Sequence, residues 1–433
     1  MPSSPLPSKV LAQQIMHSLA QHGTPLSHGV SYYNVGNESI LSALETHYLT
    51  SYLPEGGGVF KLLVGDYGSG KSHFLYCLRE RAWAHRFPVS QVDLSPRECP
   101  YDDQKKVYAA VARALMWRDP DDASAEPVRG LANFLQRLLH DLVTRHGVEL
   151  GSDEARTLPE VQALLSSLQH THIDNTSYRY AISHMLEAIL RGDAVQQELL
   201  GLWLHGEEIN TVAMSELRQL NVTQKITRSN AFQMLRSLSQ TVRALGFNGM
   251  CLLFDEMDRQ MSLSRRAKAV ISDNLREVID RTREDLPGTL FVYAVLPLFV
   301  NEFVPQYDAL WQRLQIRVGR YFSHTNPFSP QINLEQLDLD EQTLLVKIAE
   351  RLQPIFEIAY EARLDTALQA RNADRLAAAA RRTRTATNHR RIFISSLARE
   401  WYRQWQEGQV ELSDTDAYEL VTHSSQDLNS DDY

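Results

Sequence analysis

The sequence predicts an α/β fold: a parallel sheet with helices on both faces, a helical insertion and a C-terminal helical lid. Three observations carry this. Short apolar, β-rich runs alternate with segments of helical period, the pattern of a parallel sheet built from strand–helix units. The alternation is broken from about Arg118 to about Arg228 by a stretch of helical period with no convincing strand. After Pro330 the pattern turns helical to about Gln406.

The elements follow in order. Residues 1–8 are rich in Pro and Ser, and Val10 to Ala20 has helical period until Gly23 and Pro25 break it. Ser39 to Tyr52 predicts a second helix, with Leu41, Leu44, His47 and Tyr48 on one face. Val59 to Val64, bounded by glycines, predicts a buried strand, and Ser69 to Ala84 a helix. Val89 to Leu94 is the next strand and Asp102 to Trp117 the next helix. Past the insertion, Ser229 to Leu245 reads as helix, Met250 to Phe254 as strand, Arg265 to Arg283 as helix and Thr289 to Leu296 as strand. Ile316 to Phe322 is a weaker strand candidate. Four units are expected: an N-terminal helical segment over 1–58, a nucleotide-binding core over 59–330 with its insertion at about 118–228, a lid over 331–415, and a flexible acidic tail over 416–433.

Composition narrows the function. The chain has 433 residues, 43% of them hydrophobic, enough for packed subdomains, and a net charge of -9. The negative total argues against wholesale coating of nucleic acid, though not against a local basic groove. Cys77, Cys99 and Cys251 are scattered, with no CxxC pair or Cys/His cluster, so neither a zinc site nor a disulfide framework is supported. The longest apolar run, Leu290 to Val300, is interrupted by Pro297 and is too short to span a bilayer. The start, MPSSPLPSKV, lacks the hydrophobic core of a signal peptide, so a cytoplasmic location is expected.

The chemistry concentrates in VFKLLVGDYGSGKSHFL. Gly65-Asp66-Tyr67-Gly68-Ser69-Gly70-Lys71-Ser72 matches GxxxxGK[ST] in full, between a predicted strand and a predicted helix. The glycines let successive backbone N–H groups turn inward on phosphate oxygens, and the helix N-terminus that follows adds partial positive charge. Lys71 reaches the β- and γ-phosphates, the Ser72 hydroxyl is a ligand for Mg²⁺, and His73 opens the helix beside them. A second motif, MCLLFDE, is a buried strand ending in two carboxylates: Asp255 to support the Mg²⁺ shell and Glu256 as general base on the attacking water. Lys71 and Asp255 lie far apart for a minimal core, and the insertion accounts for the separation.

In TLFVYAVLP only Thr289 and Tyr293 are polar, so the position expected to touch the γ-phosphate is degenerate or absent. Arg313, Arg317 and Arg320 follow; a surface arginine at a helix end is the stronger reading of any single one of them, and Arg313, with Arg320 behind it, is the leading candidate for an arginine acting on a neighbouring subunit's phosphates. Arg390-Arg391 opens an amphipathic helix in the lid, where Arg390 suits a reach back to the phosphates. A helix-start charge pair explains it equally well.

These motifs, with the lid and the late Arg pair, resemble the AAA+ ATPases, closest to their initiator-like and STAND-like branches. The stretches QHGTPLSHGVSYYNVGNESILSALETHYL, GGGVFKLLVGDYGSGKSHFLYCLRERA and VSQVDLSPRECPYDDQKKVYAAVARAL resemble the BREX-system ATP-binding proteins, P-loop ATPases of bacterial phage-defence islands. The likeness runs most closely over residues 21–117. It implies ATP and Mg²⁺ as cofactors, a homo-oligomer, and other defence proteins as partners. It places Val35 and Gly36 beside the adenine; the same YYNVGNE stretch also reads as a helix-capping loop before Ser39, and both readings stay open. Leu296-Pro297 departs from the family, where a small polar pair is commoner.

Arg371, Arg375, Arg381, Arg382, Arg384, Arg390 and Arg391 form the most basic stretch, without the interleaved aromatics that stack bases, so direct contact with DNA and recruitment through partner proteins both stand. The function expected is an ATPase that drives or switches an oligomer. The alternative is a nucleotide-gated scaffold that hydrolyses little and holds a partner on its insertion.

Overall fold

The computed structural model describes residues 6–119, 127–282, 284–315, 321–337, 339–382 and 389–430. Its centre is a sheet of seven strands: β1 Gly58–Val64, β2 Val89–Asp93, β3 Leu115–Trp117, β4 Val128–Arg129, β5 Met250–Asp255, β6 Thr289–Val295 and β7 Gln331–Asn333, in the order β4-β3-β2-β5-β6-β1-β7. β2, β5, β6, β1 and β7 run parallel. Helices cover both faces, so these strands read as continuous apolar runs: Leu62 and Leu63 in β1 and every residue from Leu290 to Val295 in β6 are 0% exposed. Each such side chain contributes about 1.5–3 kcal/mol by leaving water. Parallel strands point their C-terminal ends the same way, and this gathers the phosphate loop after β1 and the carboxylates ending β5 at one edge.

Several expectations are corrected. Leu115–Trp117 is not the end of the preceding helix, which stops at Ala114; it is strand β3, antiparallel to β2. The insertion carries one short strand, β4, antiparallel to β3, before its helices begin at Leu131. β3 was hidden because Leu115, Met116 and Trp117 prolong the helical period while being buried in the sheet, and β4 because it is only two residues long. After Pro330 the chain does not turn helical at once: Gln331–Asn333 forms β7 beside β1, with Ile332 fully buried. The candidate strand Ile316–Phe322 lies mostly outside the described residues.

The lid comprises the helices Glu341–Tyr360, Thr366–Arg382, His389–Glu407 and Asp414–Ser430. The last replaces the flexible tail expected there. Ala417, Val421 and Leu428 share one face and are buried, which ties the helix down. The N-terminal helix Lys9–His22 belongs with the lid: Ser395 Oγ and Arg399 Nε both donate to the Ala20 carbonyl, and Gln13 Nε2 donates to Ala359. Among the described residues no helix is long and apolar enough to cross a membrane.

Candidate functional site

The phosphate loop leaves β1 at Gly65 and enters the helix Lys71–Ala84. Gly70, the residue before that helix, has φ 91°, a left-handed conformation that glycine tolerates best. Gly65 packs so closely that a Cβ there would stand 2.3 Å from Ser69 Oγ. Lys71 Nζ donates to the carbonyls of Gly65 (2.8 Å) and Asp66 (2.9 Å), which folds its ammonium over the loop. Burial lowers its pKa, while Asp258, Asp255, Asp66 and Glu335 oppose that.

Ser72 Oγ donates to Asp255 Oδ2 at 2.7 Å. The pairing follows from topology: the helix after β1 begins against the C-terminal end of β5, and Ser72 and Asp255 are the residues that meet there. Asp255 Oδ1 also accepts from the Glu256 backbone N–H (2.8 Å), so the carboxylate is held on both oxygens. A hydroxyl beside a fixed carboxylate is a hard oxygen donor set, and it fits Mg²⁺.

Glu256 takes φ 60°, ψ 31°, a left-handed turn that ends the strand. Its carboxylate pairs with Arg259 Nη2 at 2.8 Å. Partial burial pushes its pKa up to about 6, with Asp255, Asp93 and Asp258 adding to the rise and Arg259 opposing it. A carboxylate poised near neutrality has the ordinary profile of a general base.

Above the loop lies a cavity of about 650 Å³. Gly68, Ser69, Gly70, Lys71, Ser72 and Asp255 line it, together with Arg390 from the lid and the apolar Val35, Leu337, Leu344 and Ile348. Tyr67 caps the loop, its hydroxyl donating to Asp258 Oδ2 (3.1 Å), and the Asp66 backbone N–H donates to Glu335 Oε1 (3.0 Å). His73 also lines the cavity; burial lowers its pKa to about 4, so its neutral ring bonds through Nε2 to Asn34 Oδ1 at 3.0 Å.

A family model for the BREX system ATP-binding proteins BrxC/D matches residues 8–399. The chain belongs to that family. The match takes in the phosphate loop, both carboxylates and Arg390, the groups that meet at this cavity. Among solved structures, this BREX ATP-binding protein is similar to the ORC2 protein of Aeropyrum pernix in its ADPNP–ADP complexes, at 11% identity and a TM-score of 0.45. That alignment covers 90% of this chain and 67% of the other. Comparison with the curated proteins gives no match.

Of the residues singled out in the sequence, Tyr67 to His73 of the loop, Val35, Asp255, Glu256 and Arg390 converge on this cavity in this family member, while Gly65 and Asp66 open the loop outside its lining. Gly36 does not line the cavity; it backs against Leu344. Arg313 is not brought to the loop of its own chain. It lines a separate cavity with Gly58, at the opposite end of β1, where its guanidinium grips Asp280 through Nε (2.7 Å) and Nη2 (2.8 Å). Arg317, Arg320 and Arg384 lie outside the described residues. Thr289 and Tyr293, the polar residues of β6, are used elsewhere: Thr289 Oγ1 meets Ser239 Oγ (2.7 Å) and Tyr293 meets the Tyr101 hydroxyl (2.5 Å). Of the basic stretch, Arg371 and Arg375 pair with Glu411 and Arg381 with Glu341.

Sequence reasoning missed Arg259, Glu335 and Asp93. Asp93 sits in register with Asp255 on the neighbouring strand. An acid ending each of two predicted strands was the available signal.

Proposed function

We propose that this chain is an AAA+-like ATPase that binds and hydrolyses Mg-ATP to drive or switch an oligomeric complex in BREX phage defence, in the cytoplasm and alongside other proteins of the system. The observation that carries the reading is the Ser72–Asp255 hydrogen bond, with Glu256 one residue farther on. It joins a phosphate-binding loop to an acid pair at one point.

In this reading the loop N–H groups and Lys71 hold the phosphates. Ser72 and Asp255 hold Mg²⁺, which neutralises charge on the phosphate oxygens when bound. Glu256 takes the proton of the attacking water, and its elevated pKa suits it to do so near neutral pH. Arg390 faces the phosphates from the lid, so a change in the phosphates moves the lid and with it the N-terminal helix. Arg313 or Arg320 of an adjacent subunit supplies positive charge in trans, which for Arg313 requires release from Asp280.

The alternative, a nucleotide-gated scaffold with little turnover, is favoured by one observation. The phosphate end of β6 is apolar, Val295-Leu296-Pro297, and its only polar side chains are engaged in the core. Steady-state turnover separates the two. Phosphate release by the wild-type chain, abolished in Glu256→Gln with ATP binding intact, supports the ATPase. Tight ATP binding without release supports the scaffold.

A further inference from the structure

The most basic stretch of the sequence is not where the fold leaves its cations free. Arg371, Arg375 and Arg381 of the lid are neutralised by Glu411 and Glu341. A shorter run is treated differently. From Arg259 to Ser272 the chain carries four cations, Arg259, Arg265, Arg266 and Lys268, and no acid, in a protein whose net charge is -9. Arg259 is held by Glu256. Among the described residues no acid pairs with Arg265, Arg266 or Lys268, the nearest acid in sequence, Asp273, being paired with Arg276.

These three cations open the helix Arg265–Thr282, whose first buried side chain is Ile271. None of the six residues from Arg265 to Val270 is buried, so about 9 Å of helix runs at the surface before packing begins. The backbone end of the helix is already served: Ser264 Oγ accepts from the Ala267 N–H (3.3 Å), and the Ser264 carbonyl accepts from the Lys268 N–H (2.9 Å). What is left without a partner is the charge on the side chains.

Three unpaired cations call for a polyanion, and the residues among them say which. A lipid surface is held by a helix with a broad apolar face, a protein partner by aromatic anchors in a packed centre, and single-stranded nucleic acid by aromatics that stack its bases. Arg265-Arg266-Ala267-Lys268-Ala269-Val270 supplies none of these, only charge on a slim helix with small residues between. The major groove of B-form DNA, about 12 Å wide, admits a helix and carries phosphates along both walls, whereas the deep, narrow major groove of A-form RNA does not admit side chains. Arg and Lys on such a helix reach phosphate oxygens and fix its position on the duplex.

We infer that Arg265, Arg266 and Lys268 form a docking surface for the phosphate backbone of duplex DNA. The contact does not depend on the rate of ATP turnover, and its failure leaves the nucleotide reading intact.

The test is fluorescence anisotropy of a labelled duplex of mixed sequence, titrated with the full chain at a series of salt concentrations. The proteins are wild type, the triple variant Arg265→Gln, Arg266→Gln, Lys268→Gln, the single variant Arg266→Gln, and a control, Lys347→Gln with Arg351→Gln, whose cations sit beside Glu38 and Glu350. Wild type is expected to bind, with an affinity that falls with salt. Each phosphate contact adds about 0.9 to the slope of log affinity against log salt. The triple variant should flatten that slope by about 2.7 and bind about tenfold or more weakly at low salt, and Arg266→Gln alone should flatten it by about 0.9. The control should bind like wild type. If the triple variant also melts lower, Arg266→Gln decides. Wild type that does not bind the duplex at low salt overturns the inference. So does a triple variant with the wild-type affinity and slope, or an equal loss in the control, which assigns binding to the general field of the protein. Binding to polyglutamate or to anionic vesicles that is lost in the triple variant while DNA binding is unchanged gives the surface to an acidic protein segment or a lipid headgroup, and overturns it as well.

Discussion

Arg390 Nη1 donates to the backbone carbonyl of Ser69 in the phosphate loop, 321 residues away in the chain. Its neighbour Arg391 turns the other way and donates from Nε to the His22 carbonyl (2.6 Å), at the end of the N-terminal helix. One turn of one lid helix thus touches both the phosphate loop and the chain's first helix.

Arg390 keeps its Nε without a partner although that atom is buried. Burial also lowers its pKa, against the pull of Glu335 and Glu341. Arg390→Ala is expected to weaken ATP binding about tenfold or more, on the scale of a charge-assisted hydrogen bond. Arg390→Lys should restore only part of it, because a point charge does not replace a fork of donors. Calorimetric titration decides; an unchanged affinity in Arg390→Ala would show that the residue only braces the lid.

Glu256→Gln should retain ATP binding and reduce phosphate release by about 10²–10⁴-fold, the usual contribution of a general base. The pH dependence follows from its elevated pKa. Glu256 is protonated, and inactive as a base, below about pH 6, so turnover should fall as pH drops through that value. Arg259 holds the pKa down. Arg259→Ala therefore should shift the acidic limb of the pH–rate profile to higher pH. A limb that does not move in this variant would separate it from Glu256.

Gly23 closes the N-terminal helix with φ 61°, and a Cβ there would stand 2.5 Å from Arg391 Cγ and 2.6 Å from the Arg391 carbonyl oxygen. Neither the backbone conformation nor the space admits a side chain. Gly23→Ala is expected to destabilise the fold by about 1–3 kcal/mol. Chemical denaturation of the two proteins, compared at equal slope, gives the number.

Lys61 is 2% exposed on β1, with Nζ donating to Tyr48 Oη (3.1 Å) and to the carbonyls of Pro327 (2.8 Å) and Ser329 (2.7 Å). Lys61→Met fills similar volume but leaves those acceptors unpaired, at a cost of about 1–3 kcal/mol for each buried group that water cannot reach. Its melting temperature should fall while ATP binding stays near the wild-type value, because Lys61 lines the separate cavity that Arg313 lines and not the one above the phosphate loop. Loss of ATP binding at full stability would contradict this separation.

The site was legible where its residues are contiguous. GDYGSGKS and FDE each compress a function into one turn, and strand–helix alternation placed both at the same sheet edge. The contacts that needed register or docking were not legible. Nothing local joins Glu335 to Asp66, and Asp93 meets Asp255 only because β2 and β5 align. The final helix was overlooked for a different reason. Its acidic residues face solvent and dominate the composition, while the spacing of Ala417, Val421 and Leu428 marks the buried face.

The antiparallel join of β2 to β3 gives the insertion a mechanical meaning. Its helices are rooted, through β3 and β4, in the sheet that carries Asp255, with only β2 between. The 16-residue helix Thr176–Arg191 alone is about 24 Å long. Its N-terminal end is also pinned to the helix Ala231–Ala244, the Asp174 and Asn175 backbone N–H groups donating to Gln240 Oε1 (2.9 Å) and Ser237 Oγ (3.1 Å). The insertion is therefore braced on the core at two places, a fixed platform rather than a hinged arm.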